Sequence, residues 1–242
     1  MHRRGRRSAP LLFYMACPGP SRRKWPGEGK SRVFPVISSS CPDDLKSDTY
    51  SYIEGYLLIM ALPSTIHKAS IQLSHIDRGV YESLQATVAR HPSETDERLV
   101  ARLLAWAIYY EPELTFTKGI CATDEPDIWV KGPDGRVLFW VEVGLPDADR
   151  VIKATRHAER VALLACGRAL SSWNQQHLPK VAGIANLTVV SLDQAFINTL
   201  AARLDRSIIW SMTITEGMVY LEVEGVTLES AIQVKVGTLA VA

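Results

Sequence analysis

The chain has 242 residues, 47% hydrophobic and 22% charged, with a formal net charge of +1. That length allows one large domain or two small ones, and the composition is that of an ordinary soluble globular protein with a sizeable core. Residues 1–59 hold ten Lys/Arg against five Asp/Glu, whereas residues 60–242 hold 17 against 21. The larger part is mildly acidic, so it is not a uniformly basic nucleic-acid binder, and any phosphate contact must come from a local patch.

The cysteines, Cys17, Cys41, Cys121 and Cys166, form no Cys-x-x-Cys pair and have no histidine at zinc-ligand spacing. This argues against a disulfide framework or zinc site and fits a reducing cytoplasm. No apolar run approaches the ~20 residues that cross a bilayer, so no membrane partner is expected. Residues 1–59 do not read as part of a fold. Arg3, Arg4, Arg6 and Arg7 precede a short apolar stretch, Leu11 to Cys17, and Pro18, Pro20 and Pro26 follow. A signal segment would need a longer apolar core and a cleavage site. A disordered basic arm is one reading. The preferred one is a non-native extension upstream of a start at Met60, because the hydrophobic pattern sharpens there.

From Thr65 to Leu73 and from Tyr81 to Ala89 polar and apolar residues alternate around an Asp77-Arg78-Gly79 turn, which predicts an antiparallel hairpin. Ser93 is the expected N-cap of a helix running to about Tyr110, with Val100, Leu103, Leu104, Ala107 and Ile108 as its apolar stripe. That wheel puts Glu97 at the inward edge of the buried face, and Arg98 and Arg102 outward. A solvated first-turn glutamate is the plainer expectation for Glu97. The next elements are a connection over Glu111 to Lys118 and a second hairpin around Gly132-Pro133-Asp134-Gly135. A helix follows from about Pro146, with Arg150, Lys153, Arg156 and His157 on one side and Val151, Ala154, Ala158 and Val161 on the other. Val161 to Cys166 reads equally as a strand or a helix end. Further on come a helix from Leu170 to Val181 with Trp173 and Leu178 inward, and a strand over Leu187 to Leu192. A helix capped by Asp193 follows, and two or three strands lie between Ser207 and Gly237. The order predicts a mixed α/β domain over residues 60–242, with one central sheet and helices packed on it.

The chemistry concentrates in the second hairpin. Its first strand opens with Asp127 and its second ends with Glu142, each two residues from a tryptophan, Trp129 and Trp140. A carboxylate at the tip of an apolar strand needs a partner or a metal. Alternation puts Asp127 with Trp129, and Trp140 with Glu142. A two- or four-residue loop brings both acids to one face, close enough to share a Mg²⁺. A three-residue loop with Gly135 left-handed separates them unless a second bulge restores the register. With Glu97 as a third oxygen ligand and Lys153 as the cation, the set would suit phosphodiester hydrolysis with Mg²⁺ or Mn²⁺. The tryptophans could stack bases, although a tryptophan on a sheet is more often core. His91 reads as a turn residue rather than a base, and Cys121 has no histidine partner in sequence for nucleophilic catalysis.

Four segments carry a resemblance: Ala89-Arg90-His91-Pro92-Ser93-Glu94-Thr95, Phe116-Thr117-Lys118-Gly119, Asp124-Glu125-Pro126-Asp127 and Glu142-Val143-Gly144-Leu145-Pro146-Asp147. From Met60 onward the chain resembles the YaeQ family of small bacterial proteins, whose fold resembles the PD-(D/E)XK nuclease superfamily. That resemblance implies an α-β-β-α-β core between Ser93 and Cys166, with flanking helices and extra β-hairpins. It implies Asp127 as the first acid and Glu142 as the second. The superfamily's lysine falls two residues after the glutamate, where this chain has Gly144. Migration of that lysine to the next helix makes Lys153 the natural substitute and Arg150 the second. The functional expectation is therefore a metal-dependent nuclease or phosphodiesterase. Its counterpart is a catalytically inactive nuclease fold that binds nucleic acid or a protein partner. Because fold does not imply activity, the link to hydrolysis is an analogy.

Overall fold

The computed structural model describes residues 64–117 and 124–239. The readings of residues 1–59 and of Cys121 lie outside the described residues. In chain order the elements are β1 (Thr65–His75), β2 (Val80–Arg90), α1 (Asp96–Ile108), β3 (Thr115–Phe116), β4 (Ile128–Lys131) and β5 (Val137–Val143). Then come α2 (Ala148–His157), β6 (Ala158–Leu164), α3 (Leu170–Gln176), α4 (Leu178–Val181), β7 (Leu187–Ser191) and α5 (Gln194–Ala201). Four strands close the series: β8 (Ser207–Thr215), β9 (Met218–Val223), β10 (Val226–Ala231) and β11 (Gln233–Val236). Among the described residues no helix is long and apolar enough to cross a membrane.

The strands form two sheets rather than the single central sheet expected. One has the order β10-β9-β8-β1-β2 and the other β11-β7-β6-β5-β4-β3. The reason lies in how many faces each strand can bury. In β1 the residues His67, Ala69, Ile71, Leu73 and His75 are buried, while Lys68 and Gln72 on the other face are exposed. A strand with a polar face belongs to a sheet wet on one side. β5 and β6 carry near-continuous apolar runs and are buried over their last five and four residues, which suits a sheet covered on both faces. Ile66 falls on the wet face and is half exposed, so the inward series starts at His67. The wet-face sheet is also stitched end to end: β1 pairs antiparallel with β2 and parallel with β8.

Helix α1 starts two residues later than a Ser93 cap would place it. Thr95 is its N-cap, its hydroxyl accepting from the Arg98 amide. Ser93 instead belongs to a tight turn with His91, whose Nδ1 lies 2.7 Å from Ser93 Oγ. Every residue from Leu99 to Ile108 is buried, because α1 shares one core with strands of both sheets. A helix packed on both sides has no solvent face, and this removes the expected outward position of Arg102.

Helix α2 packs on the opposite side of the second sheet, with Ala148, Val151 and Ala154 against Trp140, Val161 and Leu163. It is the crossover between the parallel strands β5 and β6. The helix stops at His157, so Ala158 and Val161 are strand residues rather than the helix stripe expected. The helix expected over Leu170 to Val181 breaks at His177, because Pro179 cannot donate the next helical hydrogen bond. Trp173 is buried as expected, and Leu178 is half buried against the same cluster. The tail makes four strands, with Glu216-Gly217 and Glu224-Gly225 as two-residue turns at positive φ.

Candidate functional site

The register between β4 and β5 settles how the acids meet. Gly132 N donates to Arg136 O at 2.8 Å, which closes a three-residue loop with Gly135 at φ +83°. A second irregularity then follows, between Val130↔Phe139 and Lys131↔Val137. It restores the pairing, so that Ile128 faces Val141 and Trp129 faces Trp140. The tips carrying Asp127 and Glu142 therefore lie side by side. Regular strand geometry, however, begins only at Ile128. Asp127 is turned toward α1, and Glu142 is held from α2 on the other side of the sheet.

Both carboxylates are buried, and guanidinium groups occupy them. Asp127 Oδ1 and Oδ2 accept from Arg98 Nη2 at 2.8 and 3.0 Å, and Oδ2 also accepts from Val143 N at 2.9 Å. Arg102 Nε stands 3.5 Å from Oδ1. Arg102 in turn donates through Nη1 to both oxygens of Glu94, at 3.0 and 3.2 Å. The result is a buried chain Glu94–Arg102–Asp127–Arg98, in which Arg102, Glu94 and Asp127 have side chains at most 3% exposed. On the α2 side, Glu142 Oε1 accepts from Arg150 Nε at 2.9 Å, and Oε2 accepts from Arg150 Nη2 at 3.2 Å and Trp140 Nε1 at 3.0 Å. Burial pushes the Glu142 carboxyl above its usual range, and the nearby charge of Asp127 adds to the push. The Arg150 and Trp140 hydrogen bonds oppose it.

Arg98 explains the glycine at position 144. Its Nη1 donates to Val143 O at 2.7 Å. A Cβ built on Gly144 would come within 2.8 Å of that nitrogen, and Gly144 sits at φ +106°, where side chains are strained. The place where the nuclease resemblance calls for a lysine is thus filled in space by an arginine reaching across from α1. Sequence spacing had put Arg98 on the outer face.

The other two expected members do not join. Glu97 is half exposed, and its carboxyl is held below the usual range by its own backbone amide, then by the Thr95 side chain and by Arg168. Lys153 is exposed and pairs with the equally exposed Asp124 at 3.0 Å. Of the four residues predicted, Asp127 and Glu142 sit on adjacent strand tips, but their carboxylates are held from opposite sides of the sheet by Arg98 and Arg150. Among the described residues no group of three or more His, Cys, Asp or Glu could hold a metal ion. Every oxygen of the two acids already accepts from an N–H donor, so the arrangement does not fit Mg²⁺ or Mn²⁺. The residues missed in sequence are Arg98, Arg102 and Glu94. One signal was available: Arg102 is the only charged residue in the run Leu99–Ile108.

A cleft of about 320 Å³ lies beside this pair, lined by Asp124, Trp140, Arg150, Lys153, Ala154 and His157. Lys153, Arg156 and His157 are exposed along α2. Trp129, directly opposite Trp140, is half exposed, with Lys131 Nζ 3.5 Å from its ring centroid.

The family model described as YaeQ protein matches residues 60–232. The YaeQ protein of Escherichia coli (strain K12) is 40% identical over 171 residues, covering 70% of this chain and 94% of its own length. The YaeQ protein of Salmonella typhi is 42% identical over 163 residues, covering 67% and 90%. The crystal structure of YaeQ from Pseudomonas syringae superposes with a TM-score of 0.70 at 40% identity, over 73% of this chain and 98% of that one. The structure from Xanthomonas axonopodis pv. citri gives 0.69 at 32% identity, over 72% and 99%. A match of this extent in both sequence and fold has one reading: the chain belongs to the YaeQ family.

Proposed function

We propose that this protein binds nucleic acid on the α2 side of a nuclease-like fold without cleaving it. The series α1-β4-β5-α2-β6 supports the comparison with the PD-(D/E)XK core: two antiparallel strands carry the acids, and a helical crossover leads to a parallel third strand. The observation that carries the reading is the pairing of both acids with arginines. A hydrolase of this design needs the two carboxylates free for a cation that activates water and neutralises the developing charge. Here Arg98 and Arg150 do the neutralising. They fix the strand tips and take up the carboxylate oxygens that a cation would need.

What remains suited to a ligand is the surface above the pair. Lys153, which also pairs with Asp124, and Arg156 form a local basic strip on a mildly acidic domain, with His157 beside them, and such a strip tracks phosphates. The cleft beneath it reaches an indole, and half-exposed Trp129 offers a second ring for stacking. The isolated, buried thiol of Cys166, raised by burial to a pKa of about 11, fits work in a reducing bacterial cytoplasm.

The test is fluorescence anisotropy of labelled single-stranded and duplex oligonucleotides across a salt series, beside a cleavage gel with Mg²⁺ or Mn²⁺. Binding that weakens with salt, is reduced in Lys153→Glu/Arg156→Glu, and gives no cleavage supports the proposal. Metal-dependent cleavage abolished by Asp127→Asn would return the hydrolase reading. No binding to either oligonucleotide at low salt refutes nucleic acid as the ligand.

A further inference from the structure

The strand β2 ends the five-stranded sheet and, among the described strands, pairs only with β1. Its other side is a row of backbone donors and acceptors. Proteins usually protect such an edge with a proline, a bulge, a short strand or an inward-pointing charge. β2 has no proline or bulge and is not short; its two charges, Glu82 and Arg90, lie on the core-side face but at its ends, outside the buried Leu84 and Val88. It is 11 residues long, Val-Tyr-Glu-Ser-Leu-Gln-Ala-Thr-Val-Ala-Arg, and its register with β1 is unbroken from Thr65↔Arg90 to His75↔Val80. Its only charged residues are Glu82 and Arg90, near the two ends.

This sequence is self-complementary in one antiparallel register. A twofold axis through Ala86 sets Glu82 opposite Arg90 of a second copy, twice. On the same face Leu84 meets Val88, twice, and Ala86 meets itself. On the outer face Gln85 meets Thr87 and Ser83 meets Ala89. No like charges oppose one another, and cross-strand pairs of these kinds are favourable. Leu84 and Val88 are buried in the core of the single chain, so the joined sheets would extend that apolar face across the contact, with the Glu82–Arg90 pairs at its ends. Arg90 already holds Asp96 through Nη1, and its guanidinium has further N–H donors for a second carboxylate.

We infer that β2 is a dimerisation edge, at which two copies of this chain join their five-stranded sheets antiparallel about Ala86 in an isologous contact. The occupant is a second copy because the charge pattern complements itself. The contact is separate from α2 and from the acid pair, and it stands or falls independently of nucleic-acid binding.

Sedimentation velocity on the full chain at micromolar concentration tests it, with far-ultraviolet circular dichroism to confirm that each variant is folded. The wild type is expected at twice 26.8 kDa. Glu82→Arg places arginine opposite arginine and is expected to shift the chain to monomer. Glu82→Arg/Arg90→Glu restores opposite charges and is expected to restore the dimer. A monomeric wild type overturns the proposal. So does a dimer indifferent to Glu82→Arg, which would use another face, and so does a folded double variant that stays monomeric.

Discussion

Replacing Arg102 with methionine keeps most of the side-chain volume and removes the charge. The two oxygens of Glu94 lose donors at 3.0 and 3.2 Å, keeping only the His91 amide at 3.4 Å. Asp127 loses a contact at 3.5 Å but keeps Arg98 and the Val143 amide. The damage therefore falls on Glu94, a carboxylate whose side chain is 2% exposed. Breaking a buried pair by removing one partner costs about 3–5 kcal/mol, because it leaves an uncompensated charge out of water. Urea unfolding at neutral pH, followed by tryptophan fluorescence and extrapolated linearly, measures the loss. Removing both charges in Glu94→Leu/Arg102→Met takes away the stranded carboxylate, and the double variant is expected to be about 2 kcal/mol more stable than Arg102→Met alone. A loss below about 1 kcal/mol in the single variant would refute the reasoning, since it would mean that Glu94 reaches water or a new donor without effort.

Gly144→Ala is expected to cost about 1–3 kcal/mol from positive-φ strain alone. Its clash with Arg98 adds to that, so the penalty should shrink in an Arg98→Ala background in a double-mutant cycle. His75 is buried with both ring nitrogens unpartnered, and desolvation chiefly holds its pKa below the ordinary 6.5. The unfolded state then binds the proton more readily. Stability is full above about pH 6.5 and falls as pH drops from there toward the folded pKa. Thermal melts across this range should show the slope, and His75→Phe should flatten it. Lys153→Ala is expected to weaken oligonucleotide binding at all sequences and to lower the slope of log affinity against log salt by roughly one unit. The same substitution should leave the urea midpoint unchanged.

Much of the element order was legible because hydrophobic period is a local property. β1, β2, β7 and the start of α5 at Asp193 fall where alternation and capping put them. The division into two sheets was not, because pairing partners are chosen by tertiary contact. Periodicity assigned Arg98 and Arg102 to the outside, and for a helix covered on one side that would hold. It fails for α1, which is covered on both. The acid pair was found because a carboxylate at the end of an apolar strand is locally odd. Of its cations Arg150 was legible on the following helix, but Arg98 was not, because it reaches its acid through the space left at Gly144, 46 residues away in sequence. The loop around Gly135 shows the same limit: the left-handed glycine could be anticipated from Pro-Asp-Gly, but the compensating irregularity beside Lys131 has no composition signal.

The C-terminal strands leave one residue, Ile232, between β10 in one sheet and β11 in the other. The same segment supplies β8, which lies beside β1. There Lys68 N donates to Arg206 O at 2.8 Å, and His67 Nδ1 lies 2.9 Å from Asp205 O, across 138 residues. A ribosome that has made everything up to α5 has therefore made neither sheet complete. The hairpin β1–β2 waits with an open inner edge until β8, from Ser207 onward, appears, and topologies closed this late fold slowly. A nonsense codon just after residue 206 would do more than trim a tail. It would leave an unfinished sheet with a second free edge, a species for quality-control proteases to remove.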